Sequence, residues 1–205
     1  MKIHDISMTI SERMTIYKNR AEKSPRFAVE RRGRVQESRL DLHLHSGTHI
    51  DAPLHMLPEG GSIDSYPLER FIAPSRVLAF PDARKIGAAE LKGKEIRKGE
   101  FVLLKTRNSE SEAFDFDFVY LDSSGAEYLK EIGVAGVGID SLGIERDQEG
   151  HPTHEILLSA RIPILEGVRL KDVEEGTYLL VALPLKIAGA EASPVRAVLI
   201  DEISG

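Results

Sequence analysis

Between His43 and His55 the chain reads His-Leu-His-Ser-Gly-Thr-His-Ile-Asp-Ala-Pro-Leu-His, so four of its seven histidines fall beside one aspartate. Imidazole nitrogen and carboxylate oxygen are the donors that borderline divalent cations select. A catalytic centre needs about three such protein ligands and one position left open for water or substrate. His45, His49 and Asp51 make up such a set. The competing reading is a solvated, histidine-rich strand face, or core histidines satisfied by hydrogen bonds.

The elements that must position these groups are read from parity. Asp41, His43, His45, His49, Asp51 and His55 sit at odd positions, and Leu40, Leu42, Leu44, Ile50, Ala52 and Leu54 at even ones. Side chains alternate faces along an extended chain, so the pattern predicts one strand with an apolar face and a ligand-bearing face. A helix fits worse. At about 100° per residue it turns Asp51 and His55 roughly 120° and 80° away from His45, and Gly47, Thr48 and Pro53 disfavour its interior. Ser46-Gly47-Thr48 predicts a bulge or kink that draws His45, His49 and Asp51 towards one point.

Strands are further expected over Lys2–Ile6, Phe27–Val35, Arg76–Phe80, Phe101–Lys105, Val134–Ile139, Ile162–Leu165, Leu179–Leu183 and Ala197–Ile200. Helices are expected over Lys85–Ile96, over Ser123–Ile132 with Gly133 as its stop, and over Thr153–Ala160. Alternation of the two in the second half implies a mixed α/β domain with its sheet under helices. His154 reads either as a first-turn surface residue or as a ligand. Glu166 closes the apolar run Ile162–Leu165, where a carboxylate is costly unless paired or metal-bound.

Composition narrows the classes. A chain of 205 residues, 41% hydrophobic and 29% charged, suits one globular domain spanning 1–205. Its 27 basic and 33 acidic residues give a net charge of −6, with no basic stripe, which argues against nucleic acid. Cysteine is absent, so any metal must be held by His, Asp, Glu or water. The first residues are broken by His4, Asp5, Glu12 and Arg13, unlike a signal peptide, and no apolar run reaches membrane-helix length. A cytoplasmic location is the resulting expectation. Gly87–Lys94 lacks the phosphate-loop spacing, Gly136-Val-Gly138 lacks a third glycine, and no Gly-x-Ser-x-Gly occurs.

With these residues in view, the chain resembles the metal-dependent cyclase family, which includes the bacterial type of kynurenine formamidase. Residues 45–55 match its pattern His-x-Gly-Thr-His-x-Asp-x-Pro-x-His at every specified position. Supporting stretches are Asp5-Ile6-Ser7, Gly138-Ile-Asp140-Ser141, His154 with Leu157-Leu158, Ile162-Pro-Ile-Leu-Glu166-Gly167 and Ser193-Pro-Val-Arg196. The resemblance implies a compact, partly closed β core of the swivelling β/β/α kind, assembled as a homodimer or homotetramer. It implies that His45, His49 and Asp51 hold one metal, that Asp51 bridges to a second completed by His154 and Glu166, and that His55 moves the proton. Zinc, or else manganese, is the implied cofactor, in one or two ions. Where relatives carry aromatic-Pro-Gly-Asp near the N-terminus, this chain reads Tyr17-Lys-Asn-Arg20, leaving Tyr17 as the substrate-contact candidate.

The implied reaction is hydrolysis of a small amide such as N-formylkynurenine by metal-activated water, with His55 shuttling the proton to the leaving nitrogen. A cyclic amide or lactone of the isatin kind is the alternative substrate. A metal-stabilised binding protein without catalysis is the competing class.

Overall fold

The apolar run Phe101–Thr106 (β6) forms the middle of the sheet and is buried on both faces. In the computed structural model, which describes residues 1–201, it lies in parallel between β5 (Ile72–Phe80) and β7 (Gly136–Ile139). β7 is followed in parallel by β8 (Ile164–Glu166). Antiparallel strands extend both sides. On one lie β9 (Gly176–Val181), β11 (Val198–Asp201) and β1 (Ile3–Asp5); on the other lie β4 (His49–Asp51) and β10 (Ala192–Pro194).

This nine-stranded sheet is strongly curled. β10 is its last strand and β11 its second, seven steps away, or roughly 34 Å if the sheet were flat. Only residues 195–197 join them, and that link reaches at most about 15 Å. The two ends must therefore approach each other, which is the partly closed core expected from the resemblance.

Side-chain alternation along β6 divides the interior. Phe101 and Leu103 enter one apolar cluster with Ile50, Val77, Leu165 and Leu180, while Val102 and Leu104 enter another with Ile139, Ile164, Leu129 and Leu157. The second cluster lies under the helices α1 (Ala88–Leu91), α2 (Ser123–Ile132) and α3 (Pro152–Ser159). Asp122 caps α2 by accepting the Ser124 and Gly125 N–H groups, and Gly133 ends it at φ 79°.

Three readings need correction. The single strand through Leu40–His55 does not form. β3 (Val35–Asp41) stops before a turn at Leu44–His45, β4 holds only three residues, and Pro53 opens a 3₁₀ turn ending at His55. Gly47 breaks the strand at φ 64°, where a Cβ would lie 2.9 Å from Met14 Cε. Leu40, assigned to the apolar face, is 43% exposed, whereas Ile50 and Ala52 are fully buried. Phe27–Val35 is not one strand but the start of a hairpin, β2 (Arg26–Arg32) and β3, turning at Gly33. The helix expected over Lys85–Ile96 shrinks to the four residues of α1 because Ile86 pairs with Leu121, Gly87 is extended before it, and the chain leaves helical conformation at Lys92 and Gly93.

At the carboxyl ends of the parallel strands, Asp140 is 3% exposed and accepts five hydrogen bonds, from Thr106 N and Oγ1, Asn108 Nδ2, and Ser109 N and Oγ. Burial pushes its carboxyl above the ordinary value, and these donors offset only part of that. Asp140→Ala strands the donors and is expected to lower unfolding stability by about 3 kcal/mol. The urea midpoint reads this directly, and an unchanged midpoint would contradict it.

Candidate metal centre

β4 carries the centre. His49 and Asp51 are two residues apart on one face of β4, and His49 stands directly across from Glu166 on β8. Ile50 and its partner Leu165 point the other way into the core. His45 comes in from the turn before β4, His55 from the 3₁₀ turn after it, and His154 from the first turn of α3. Gly167 permits the close approach of the strand ends. It has φ 69°, and a Cβ there would lie 2.4 Å from the Gly47 carbonyl oxygen. Thr48 Oγ1 donates to the Gly167 carbonyl at 2.7 Å and accepts the Met8 N–H at 2.8 Å, fixing the N-terminal segment over the same junction.

Asp51 is the hub. His45 Nδ1 lies 2.8 Å and His49 Nε2 3.5 Å from Asp51 Oδ1, and His154 Nε2 lies 3.8 Å from Oδ2. Glu166 meets His49 Nε2 at 3.4 Å and His154 Nε2 at 3.7 Å. Asp51 and His49 are each 1% exposed, yet both Asp51 oxygens and His49 Nε2 make no hydrogen bond. Buried polar atoms are almost always satisfied, so three orphans converging on one point fit a cation. The remaining atoms are already assigned. His49 Nδ1–H donates to the Gly47 carbonyl at 2.9 Å, leaving Nε2 facing Asp51 and Glu166. Glu166 Oε1 accepts the Ile144 N–H at 2.6 Å.

Ligand atoms of His49, Asp51 and Glu166 lie within 4.8 Å of one another, and so do those of His45, Asp51 and His55. Asp51 is common to both groups. His55 lies closer than a bystander would, its ring centroid 4.1 Å from that of His45 and 5.7 Å from that of His154.

The charges support the same arrangement. Burial pushes the Asp51 carboxyl up, as does the Glu166 charge, but the imidazoles of His45 and His49 outweigh both and keep it below its usual value. Burial likewise opposes the Glu166 carboxylate, and His154 and His49 hold it well below the ordinary range. Burial alone would lower His49 and His154; the facing carboxylates instead raise them to about 9 and about 10. Without a cation both rings are therefore protonated at pH 7. Their contribution to stability is full below about pH 6.5 and is lost as pH rises through 9 to 10. A cation must displace these protons, so its apparent affinity is expected to rise with pH as protons are released. Titration calorimetry in buffers of different ionisation enthalpy measures that release; a buffer-independent heat would contradict it.

Two features went unread in the sequence. Glu145, 2% exposed, accepts the His154 Nδ1–H. In the sequence it stands in the polar run Glu145-Arg-Asp-Gln-Glu149, which offers no signal of burial. The second feature is a cleft lined by Phe114, Phe118 and Leu142 beside Arg107 and Arg169, with Gly167, the residue after Glu166, in its wall. Tyr17 is half-buried at its edge, with its ring 5.3 Å from that of Phe114. Burial raises its phenol above the ordinary value, against a smaller downward pull from Lys18, with Asp147 and then Glu166 adding to the rise. His43 is exposed and has no place among the clustered ligand atoms.

A curled mixed sheet with buried imidazoles and carboxylates at one strand junction is the frame of a metal-dependent hydrolase. The Cyclase family model matches residues 4–146. The chain is 35% identical to the kynurenine formamidase of Salinibacter ruber over 98% of both chains. It is 46% identical to a solved structure described as a predicted metal-dependent hydrolase from Bacillus stearothermophilus, with a TM-score of 0.90 over 97% of each chain. The fold is also that of isatin hydrolase A from Labrenzia aggregata, with a TM-score of 0.83 over 98% of this chain and 94% of the other, at 22% identity. The chain belongs to the cyclase family. It is an amidohydrolase that uses a divalent metal, and among the described residues no helix is long and apolar enough to cross a membrane.

Proposed function

We propose that this chain hydrolyses an N-formyl aryl amide of the N-formylkynurenine type, releasing formate and the free amine. The observation that carries this reading is His55, an imidazole beside the Asp51 cluster with neither ring nitrogen tied to a carboxylate. Likeness to kynurenine formamidase over nearly the whole chain supports the substrate class. We propose His45, His49, Asp51, His154 and Glu166 as the ligands. Zinc is favoured over manganese by a donor set of imidazoles and carboxylates. When bound, the cation lowers the pKa of a coordinated water towards about 7 and polarises the scissile carbonyl.

The chain's own residues do the rest. Burial holds the His55 imidazole below its usual value, against a smaller upward pull from Asp51, so the ring is neutral at pH 7 and can accept a proton. Delivered to the leaving nitrogen, that proton lets the amine depart without forming an anion. The aryl ring is proposed to enter the cleft of Phe114 and Phe118, against which Tyr17 packs, because Gly167, the residue after Glu166, forms part of its wall. Opening of a lactam uses the same groups, with the leaving nitrogen tethered to the product. Formate release from N-formylkynurenine by the zinc- or manganese-loaded protein tests the proposal. Turnover of lactams or lactones alone would overturn the formamidase reading.

The partner is proposed to be a second copy of the chain. Every residue of β2 and β3 is exposed, including Phe27, Val29, Val35 and Leu40, and an isolated hairpin is marginal in water. Light scattering should give a dimer or tetramer, and replacing 27–40 by a short Gly-Ser turn should weaken it. A monomer at all concentrations would contradict this.

A further inference from the structure

His154 presents its two ring nitrogens to different carboxylates. Nε2 faces Asp51 and Glu166, and Nδ1–H donates to Glu145 Oε1 at 2.5 Å. Glu145 lies in the loop between β7 and α3, and its carboxylate has further partners. It accepts the Thr153 N–H at 3.1 Å and the His154 N–H at 3.2 Å, both in the first turn of α3. His151, at the N-cap position with φ 49°, gives no side-chain cap to this helix. Glu145 thus satisfies orphan donors of the helix start and holds the ring of the same residue whose N–H it accepts.

We propose that Glu145 is a positioning residue that fixes His154 as the Nδ1–H tautomer, aims its Nε2 at Asp51 and Glu166, and so sets the affinity of the cation position that His154 completes. This rests on the reading of His154 as a ligand. A different arrangement is available nearby, since His151 Nδ1 lies 3.6 Å from Glu145 Oε1 and the two could form a cation site with His154. Satisfaction of donors argues against it. Asp51 keeps two orphaned oxygens, whereas Glu145 has both oxygens engaged by N–H groups and His154 Nδ1 is already donating. Half of the His151 side chain is also open to solvent.

The test titrates metal-free wild type, Glu145→Gln and His151→Ala with Zn²⁺ against a chromophoric chelator, alongside thermal melting of each metal-free protein. The amide oxygen of Glu145→Gln can still accept one of the two backbone N–H groups, so the metal-free variant should fold, with a melting temperature below wild type because the charge facing His154 is gone. Its weakest-bound Zn²⁺ should lose roughly 10- to 100-fold in affinity, the usual cost of removing a group that orients a ligand. His151→Ala should bind as wild type does. In ¹⁵N-labelled, zinc-loaded wild type, His154 should show a protonated Nδ1. Wild-type affinity in Glu145→Gln, an Nε2–H tautomer, or Zn²⁺ loss in His151→Ala would each overturn the inference. Absence of Zn²⁺ and Mn²⁺ binding in wild type would instead overturn the metal centre itself.

Discussion

Replacement of Asp51 by asparagine or alanine is expected to remove bound metal and lower kcat/KM by about 10³-fold or more. Asp51 is the one side chain that belongs to two of the three clusters of potential ligands among the described residues, and three imidazole nitrogens surround its two oxygens within 3.8 Å. Asparagine keeps the shape but leaves one weaker acceptor and removes the charge. A lost cation forfeits several kcal/mol of transition-state stabilisation, and each 1.36 kcal/mol is a factor of ten in rate. Stability should move as well. In the metal-free protein at pH 7 the protonated His49 and His154 face Asp51 and Glu166, so deleting one carboxylate leaves buried positive charge undercompensated. A loss of about 3 kcal/mol is expected for the alanine variant in the absence of metal. Elemental analysis and melting curves read both effects. Stoichiometric metal retained by Asp51→Ala would refute the hub role.

Replacement of His55 by alanine is expected to separate chemistry from binding. Its ring packs against His45 and has no hydrogen bond that holds the fold together, so metal content and melting temperature should stay near wild type. Removal of a general acid–base group costs about 10²- to 10⁴-fold in rate, and the loss should fall on kcat. Because the free ring titrates below the usual histidine value, wild-type kcat/KM should fall on the acidic side as the imidazole takes a proton. That acidic limb should be missing in His55→Ala. Loss of metal along with activity would instead make His55 a ligand, as its proximity to His45 and Asp51 permits.

That the histidines and aspartate of residues 45–55 would gather was legible in the sequence because few sequences place them so densely without a chemical reason. The local conformation inferred from it was not. Alternation was read as one strand, but the chain leaves β3 after Asp41, only His49–Asp51 of the rest is a strand, and His45 and His55 reach the cluster from turns on either side. Odd parity survived within those three residues and coincided with proximity elsewhere. Glu166 was legible as a costly carboxylate after an apolar run, and its register against His49 explains why it is tolerated. Glu145 and the Phe114–Phe118 cleft were not, because their environment is made by segments distant in sequence. Curling of the sheet is a property of strand order, which no local pattern encodes. α3 was found from its apolar residues, whereas the cap that starts it comes from Glu145, eight residues before Thr153.

The most direct measurement of the central claim is anomalous diffraction at the zinc edge from crystals of the zinc-loaded protein. The expected result is a peak within about 2.2 Å of an Asp51 oxygen and His49 Nε2, with any second peak bounded by Asp51, His154 and Glu166. A peak confined to Glu145 and His151, or none near Asp51, would contradict it.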